Sequence, residues 1–183
     1  MLSGIAQEAT PVSNLPTLLA DYGIYHRDPR NRLTHYFGVP AIAYAILIAA
    51  ALHSFVIFGF AIRLDWLVVA IFVVFYLTLD FRLGLTLAVL LSLLAWAAEA
   101  TTSLGVSASL AVAGVVFVLG WALQFFGHYL EGNRPALLTN LFQIVVAPIY
   151  LAAELIFSMG MRVTLRTEVQ RRLGRTASLV KGV

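Results

Sequence analysis

The sequence predicts an all-α integral membrane protein, a helical bundle of four transmembrane helices. A Pro-broken re-entrant hairpin follows them and an N-terminal interfacial helix precedes them. Three observations carry this. Hydrophobic residues make up 61% of the 183-residue chain and charged residues 11%, against roughly 45–50% and about 25% in soluble domains. The apolar residues fall in long runs separated by short polar turns. The basic residues gather near the ends, six of the twelve Lys and Arg following Gly160, which points to membrane topology and anionic headgroups and not to a nucleic-acid face.

Residues 1–14 read as a flexible lead-in without the basic and apolar regions of a signal peptide. A single membrane-embedded domain covers 15–160, and 161–183 forms a basic cytoplasmic tail. Leu15 to Tyr22 forms a short amphipathic helix, capped by Asn14, with Leu15, Leu18, Leu19 and Tyr22 at helical spacing. Phe37 to Ile62 is long enough to cross a bilayer core of roughly 30 Å, with Pro40 in its first turn. Tight turns at Arg63-Leu64-Asp65 and Asp80-Phe81-Arg82 bracket a shorter span, Trp66 to Leu79. Leu83 to Ala98 follows, then a loop over Glu99–Ser103, then Leu104 to Phe126 as the fourth span. Four crossings return the chain to its starting face. Pro148 splits the last apolar segment, Ala136 to Met159, into halves that go in and come back; a kinked fifth span is the alternative.

Chemistry concentrates in two stretches. Tyr25–Tyr36 carries His26 and His35 with Asn31 and Thr34; Gln124–Glu131 carries His128. Gln124, His128 and Glu131 share one helix face, and Gly127 permits close approach of another backbone. Pro29 keeps His26 off the helix that carries His35, so the two imidazoles can converge. Three histidines at one membrane face read as a metal site, with Asn31 and Thr34 orienting the rings. His53 lies about 27 Å from His35 along a straight helix and reads as a structural histidine within the first span. The chain has no cysteine, so disulfides, iron–sulfur clusters and thiolate sites are excluded and any metal is held by nitrogen and oxygen. Imidazole suits zinc, iron, copper and nickel alike. Glu131, and after it Asp28, are the carboxylates available.

The pattern Tyr25-His26…Asn31…His35…Gly38-Val39-Pro40, then Gln124…Gly127-His128…Glu131…Arg134-Pro135-Ala136-Leu137…Asn140, resembles the membrane-bound 2-hydroxy fatty acid dioxygenase family, whose yeast member acts in fatty acid α-oxidation at the endoplasmic reticulum. The resemblance covers roughly residues 15–158. It implies an iron(II) enzyme that uses O₂ to shorten a long-chain 2-hydroxy fatty acid by one carbon and release CO₂. It implies His26, His35 and His128 as iron ligands and Glu131 as a further ligand or base, and it matches Asn31 and Gln124 without assigning their roles. Arg27, Arg30, Arg32 and Arg134 are the candidates to hold the substrate carboxylate, since guanidinium binds carboxylate in a bidentate manner. A bacterial inner membrane with the site at its cytoplasmic face is the expected location, or the endoplasmic reticulum membrane if the source is eukaryotic. The competing readings are another metal-dependent lipid hydrolase or hydroxylase, and a small transporter with a histidine relay.

Overall fold

The structure, a computed structural model, describes residues 15–132 and 142–181. The lead-in 1–14 with its cap Asn14, and Arg134 with the turn residues around it, lie outside the described residues. The order is α1 (Leu15–Gly23), α2 (Pro29–Ala51), β1 (Ser54–Ile57), β2 (Phe60–Arg63), α3 (Leu64–Leu79), α4 (Phe81–Thr102), α5 (Val106–Glu131), α6 (Phe142–Ser158) and α7 (Val163–Lys181).

By length and composition α2, α4 and α5 can cross a membrane; α3 is apolar but shorter. The packing of α5 shows what surrounds it. Its buried residues are Ser109, Ala113, Gly120, Gln124, Gly127 and His128, whereas Leu110, Val115, Val118 and Phe126 face outward. Small and polar side chains inside with large apolar ones outside is the arrangement of a helix solvated by lipid.

Helix α2 begins eight residues earlier than Phe37. Asp28 is its N-cap, accepting a hydrogen bond from the Arg30 N–H at 2.8 Å, and Pro29 takes the first helical position, where its missing N–H costs nothing. Arg30, Asn31, Arg32 and His35 are therefore helical. Pro40 lies in the helix interior instead of its first turn.

The same span ends early. Beyond Ala51 the chain forms an antiparallel hairpin, with Ser54 paired to Arg63 and Ile57 to Phe60. Phe58 and Gly59 form its turn, both with positive φ (50° and 82°), as a two-residue hairpin loop requires. Hydropathy did not separate this apolar ribbon from the helix before it, so the expected all-α span to Ile62 is corrected. His53 falls in the link between helix and hairpin and is exposed, its Nδ1–H donating to the Ala49 carbonyl at 3.0 Å. Arg63, expected in a tight turn, ends β2 and pairs with Asp65 (3.3 Å) and Glu99 (3.0 Å). Glu99 to Thr102 belongs to α4 and is not a loop.

Helix α6 passes through Pro148 without a break, so the proline-broken hairpin is not what forms. The Tyr76 hydroxyl donates to the Val145 carbonyl at 2.9 Å, tying the first half of α6 to α3 one residue from the carbonyl that Pro148 leaves without its helical partner. The sharp bend of 118° lies between α6 and α7 instead. Tyr76 lies in the last turn of α3, and Arg162, just past α6, makes a bidentate pair with Asp80 at the α3–α4 junction (2.6 and 3.1 Å). Both ends of α6 are thus held at one end of the bundle. The stretch after residue 160 is largely helix α7, which buries Val169 and packs Leu173 beside Gly23 of α1.

The contact that sets the bundle is α2 against α5. A Cβ on Gly38 would come within 2.9 Å of the Gly120 carbonyl, and one on Gly120 within 2.7 Å of Ile42. Alanine at Gly38 should cost about 1–3 kcal/mol in overpacking, more than the roughly 1 kcal/mol that alanine gains over glycine in a helix. Gly114 of α5 has nothing within 4 Å of an added Cβ. Thermal unfolding in detergent should therefore show a lower midpoint for Gly38→Ala and an equal or higher one for Gly114→Ala.

Candidate metal centre

Three histidines from three segments meet at one end of the bundle. His26 follows α1, in a turn closed by the Tyr25 and His26 N–H groups on the Tyr22 and Gly23 carbonyls (both 3.2 Å). Its ring stacks on Tyr22, with centroids 4.0 Å apart, and its Nδ1–H donates to the Tyr22 carbonyl at 2.9 Å. His35, in the second turn of α2, donates its Nδ1–H to the Asn31 carbonyl at 2.9 Å. His128 comes from the last turns of α5. The ring centroids are 4.7, 5.0 and 5.0 Å apart. The candidate ligand nitrogens lie within 4.8 Å of one another, and all three residues are buried.

Carbonyl oxygens only accept, so His26 and His35 each carry their proton on Nδ1 and present a bare Nε2. Those two Nε2 atoms face each other at 3.2 Å. Two lone pairs at that distance repel unless a positive charge lies between them. A proton is disfavoured, because burial first, and then His35 beside it, push the His26 imidazole down to about 3. A metal ion meets the requirement. Two nitrogens at about 2.0–2.1 Å from one ion stand roughly 3.0–3.4 Å apart. In addition, His128 Nδ1 is buried with no hydrogen-bond partner, an orphan that ligation would satisfy. The residues fit a metal.

Glu131 does not join them. Its Oε1 accepts from the Arg27 and Asp28 N–H groups at 2.6 and 3.1 Å, and its Oε2 accepts from the Asn31 side-chain amide. In this arrangement Glu131, expected as a ligand or base, ties the end of α5 to the His26 turn and the start of α2. Asp28 is likewise taken, by its capping bond and by Arg30 at 2.9 Å. Among the described residues the three histidines alone form a group able to hold a metal.

Asn31 is fully buried, its carbonyl accepting from His35 and its side-chain amide donating to Glu131. It sits against Gly127, where an added Cβ would collide with Asn31 Oδ1 and Thr34 Oγ1, so the close approach expected at Gly127 is present. Gln124 is buried, with its Nε2 unpartnered. Arg27 and Arg30 are exposed. Arg32 is half-buried, 3.6 Å from Glu154, and within electrostatic reach of His26 and Tyr150. The sequence reading missed Tyr150, whose ring lies 4.6 Å from Tyr22 and 6.0 Å from His26; nothing in its spacing marks it. Tyr22 was legible as the residue four before His26.

A cavity of about 190 Å³ opens directly beneath the triad, its wall including all three histidines, Gln124 and Gln143 and otherwise almost wholly apolar.

The family model for Mpo1-like 2-hydroxy-palmitic acid dioxygenases matches residues 12–159. The chain belongs to this Mpo1-like family. It is also 33% identical over 163 residues to 2-hydroxy-palmitic acid dioxygenase MPO1 of Saccharomyces cerevisiae, covering 87% of this chain and 90% of the yeast protein. No solved structure matches it. All three triad histidines, Gln124 and Glu131 lie within the segment matched to the Mpo1-like family.

Removing the Glu131 clamp should free the turn without removing any imidazole. Loss of hydrogen bonds to a charged group costs about 1.5–3 kcal/mol. In Glu131→Ala, hydrogen exchange at the Arg27 and Asp28 amides should accelerate while the middle of α5 stays protected.

Proposed function

We propose that the protein is an iron(II)-dependent dioxygenase that shortens a long-chain 2-hydroxy fatty acid by one carbon. The observation that carries this reading is the pair of bare Nε2 atoms 3.2 Å apart in a buried three-histidine cluster above an apolar cavity. Membership of the Mpo1-like family supports the substrate class. The reaction balances with oxygen alone: R–CH(OH)–COOH and O₂ give R–COOH, CO₂ and H₂O. No flavin or nicotinamide is then needed.

A ferrous ion held by His26, His35 and His128 would supply the electrons for dioxygen activation and open positions for oxygen and substrate. The remaining roles belong to the chain. The Tyr22 and Asn31 carbonyls fix the tautomers of His26 and His35 and aim their lone pairs inward. Glu131 is a positioning residue through its three N–H partners. Arg32 binds the substrate carboxylate: its present partner Glu154 is partly exposed and 3.6 Å away, so exchanging one carboxylate for another costs little. Gln124 Nε2, a buried donor without a partner, is placed on the cavity wall to meet the head group. Burial of all three imidazoles excludes bulk water from the centre. Basic residues at this end of the bundle support a cytoplasmic site in a bacterial inner membrane.

A second reading has one specific observation behind it. Three imidazoles without a carboxylate is also the ligand set of a hydrolytic zinc site.

Metal analysis of anaerobically purified protein should give near-stoichiometric iron. His26→Ala, His35→Ala and His128→Ala should lose it, and His53→Ala should keep it. Oxygen uptake with 2-hydroxypalmitate should follow the same pattern; zinc in place of iron with lipid turnover that persists without oxygen would move the assignment to the hydrolase. Arg32→Ala should raise KM for the acid roughly 10–100-fold, the loss of about 1.5–3 kcal/mol of charged hydrogen bonding, and leave KM for its methyl ester nearly unchanged. Equal changes for acid and ester would remove Arg32 from the carboxylate role.

A further inference from the structure

The cavity beneath the triad carries three histidines in its wall and is otherwise lined mainly by apolar and aromatic side chains. Its wall on α2 is a single helical stripe of His35, Val39, Ile42, Ala43, Ile46 and Leu47. From His35 to Leu47 is twelve residues, about 18 Å of helix. The triad and Gln124 line the upper end, and Gln143, Tyr22, Tyr76 and Trp121 add the other polar-tipped side chains; Val68, Val69, Phe72 and Leu91 close the lower part from α3 and α4. Ile46, Phe125 and Ile144 line the cavity and are also exposed on the outer surface. The cavity therefore opens sideways onto the face that meets lipid.

We propose that this cavity is the binding site for the alkyl tail of the 2-hydroxy acid, entered sideways from the bilayer. The head-group identity rests on the dioxygenase reading; the tail site rests on the cavity. The occupant follows from three features. A stripe of about 18 Å accommodates an extended chain of roughly a dozen carbons. The cavity lining holds no carboxylate, lysine or arginine that could bind an ion or a phosphate. Its upper end is continuous with the metal-fitting histidines, so a tail lying there brings the first two carbons of the acid to them. Lipid is as apolar as the cavity, so transfer of the tail gains little hydrophobic free energy. What the cavity contributes is orientation of the reacting carbons.

Ala43 tests this. It lines the cavity eight residues beyond His35, about 12 Å down the helix, below the reach of a six-carbon acid. Ala43→Phe should lower kcat/KM for 2-hydroxypalmitate at least tenfold relative to wild type. It should leave that for 2-hydroxyhexanoate within about twofold, with metal content unchanged. Ala43→Leu, a milder filling, should show the same selectivity in smaller degree if the phenylalanine variant folds poorly. A second readout needs no turnover. The chain has three tryptophans; Trp66 and Trp96 are exposed and Trp121 lines the cavity. In a Trp66→Phe, Trp96→Phe background, a mid-chain brominated palmitic acid should quench Trp121 saturably, and Ala43→Phe should abolish the saturable part. Equal loss of long and short substrates with metal retained, or quenching that neither saturates nor responds to Ala43→Phe, would overturn the tail site. Saturable, Ala43-sensitive quenching in a protein that turns over neither acid would uphold the tail site and reject the dioxygenase reading.

Discussion

Helices α2 and α5 approach each other backbone to backbone, and the rest of the site depends on that approach. Glycine stands where they cross, at Gly38, Gly120 and Gly127. Lipid removes the hydrophobic incentive for helices to associate, so close van der Waals contact and interhelical hydrogen bonds must supply it. Any side chain at these positions would push the helices apart by the width of a methyl group. His35 and His128 would separate by the same amount, and their 5.0 Å ring spacing leaves no slack for that.

The approach fixes two of the three imidazoles; the third depends on electrostatics. His26 lies outside both helices, on the turn between α1 and α2. Glu131 holds that turn through two backbone N–H groups and reaches Asn31 on the neighbouring helix. Charge-assisted bonds of this kind are roughly twice as strong as neutral ones. Stacking on Tyr22 and the edge of Tyr150 then set the ring's tilt. One carboxylate thereby converts a flexible connection into the third corner of the cluster. This explains why a carboxylate beside a histidine cluster is not bound to join it.

The residues of the cluster were legible because their signals are local. Gln124, His128 and Glu131 share a face by helical spacing alone, and Pro29 separates His26 from the helix of His35. The helix at Leu15–Gly23 followed from its apolar period. What escaped the sequence were choices settled by distant partners. Whether Phe37–Ile62 continued as helix or folded into a ribbon cannot be read from hydropathy, because Phe55 to Ile62 is as apolar as either state requires; the Phe58-Gly59 turn was the available signal. Pro148 was read as a break because proline usually costs a helix its hydrogen bond. The Tyr76 hydroxyl that holds the turn before Pro148 comes from sixty-nine residues away. The hydrogen-bond partners of Glu131 were not legible for a related reason. Its spacing gives the face it occupies, not the N–H groups that arrive from the other end of the fold.

Helix α6 resolves a conflict between the membrane and the chemistry. A fatty acid has a charged head and a tail that prefers lipid, so its site must be closed to water above and open to lipid at the side. A helix crossing the bundle beside α5 would have sealed the side. Because Tyr76 holds its first half and the Arg162–Asp80 pair holds the chain just beyond it, α6 lies over one end of the bundle. There Tyr150 and Glu154 cover the histidines and Arg32, while Ile144 and Val145 form the upper wall of the cavity. The cover over the histidines thus follows from where Tyr76 and Asp80 hold α6 and the chain just after it.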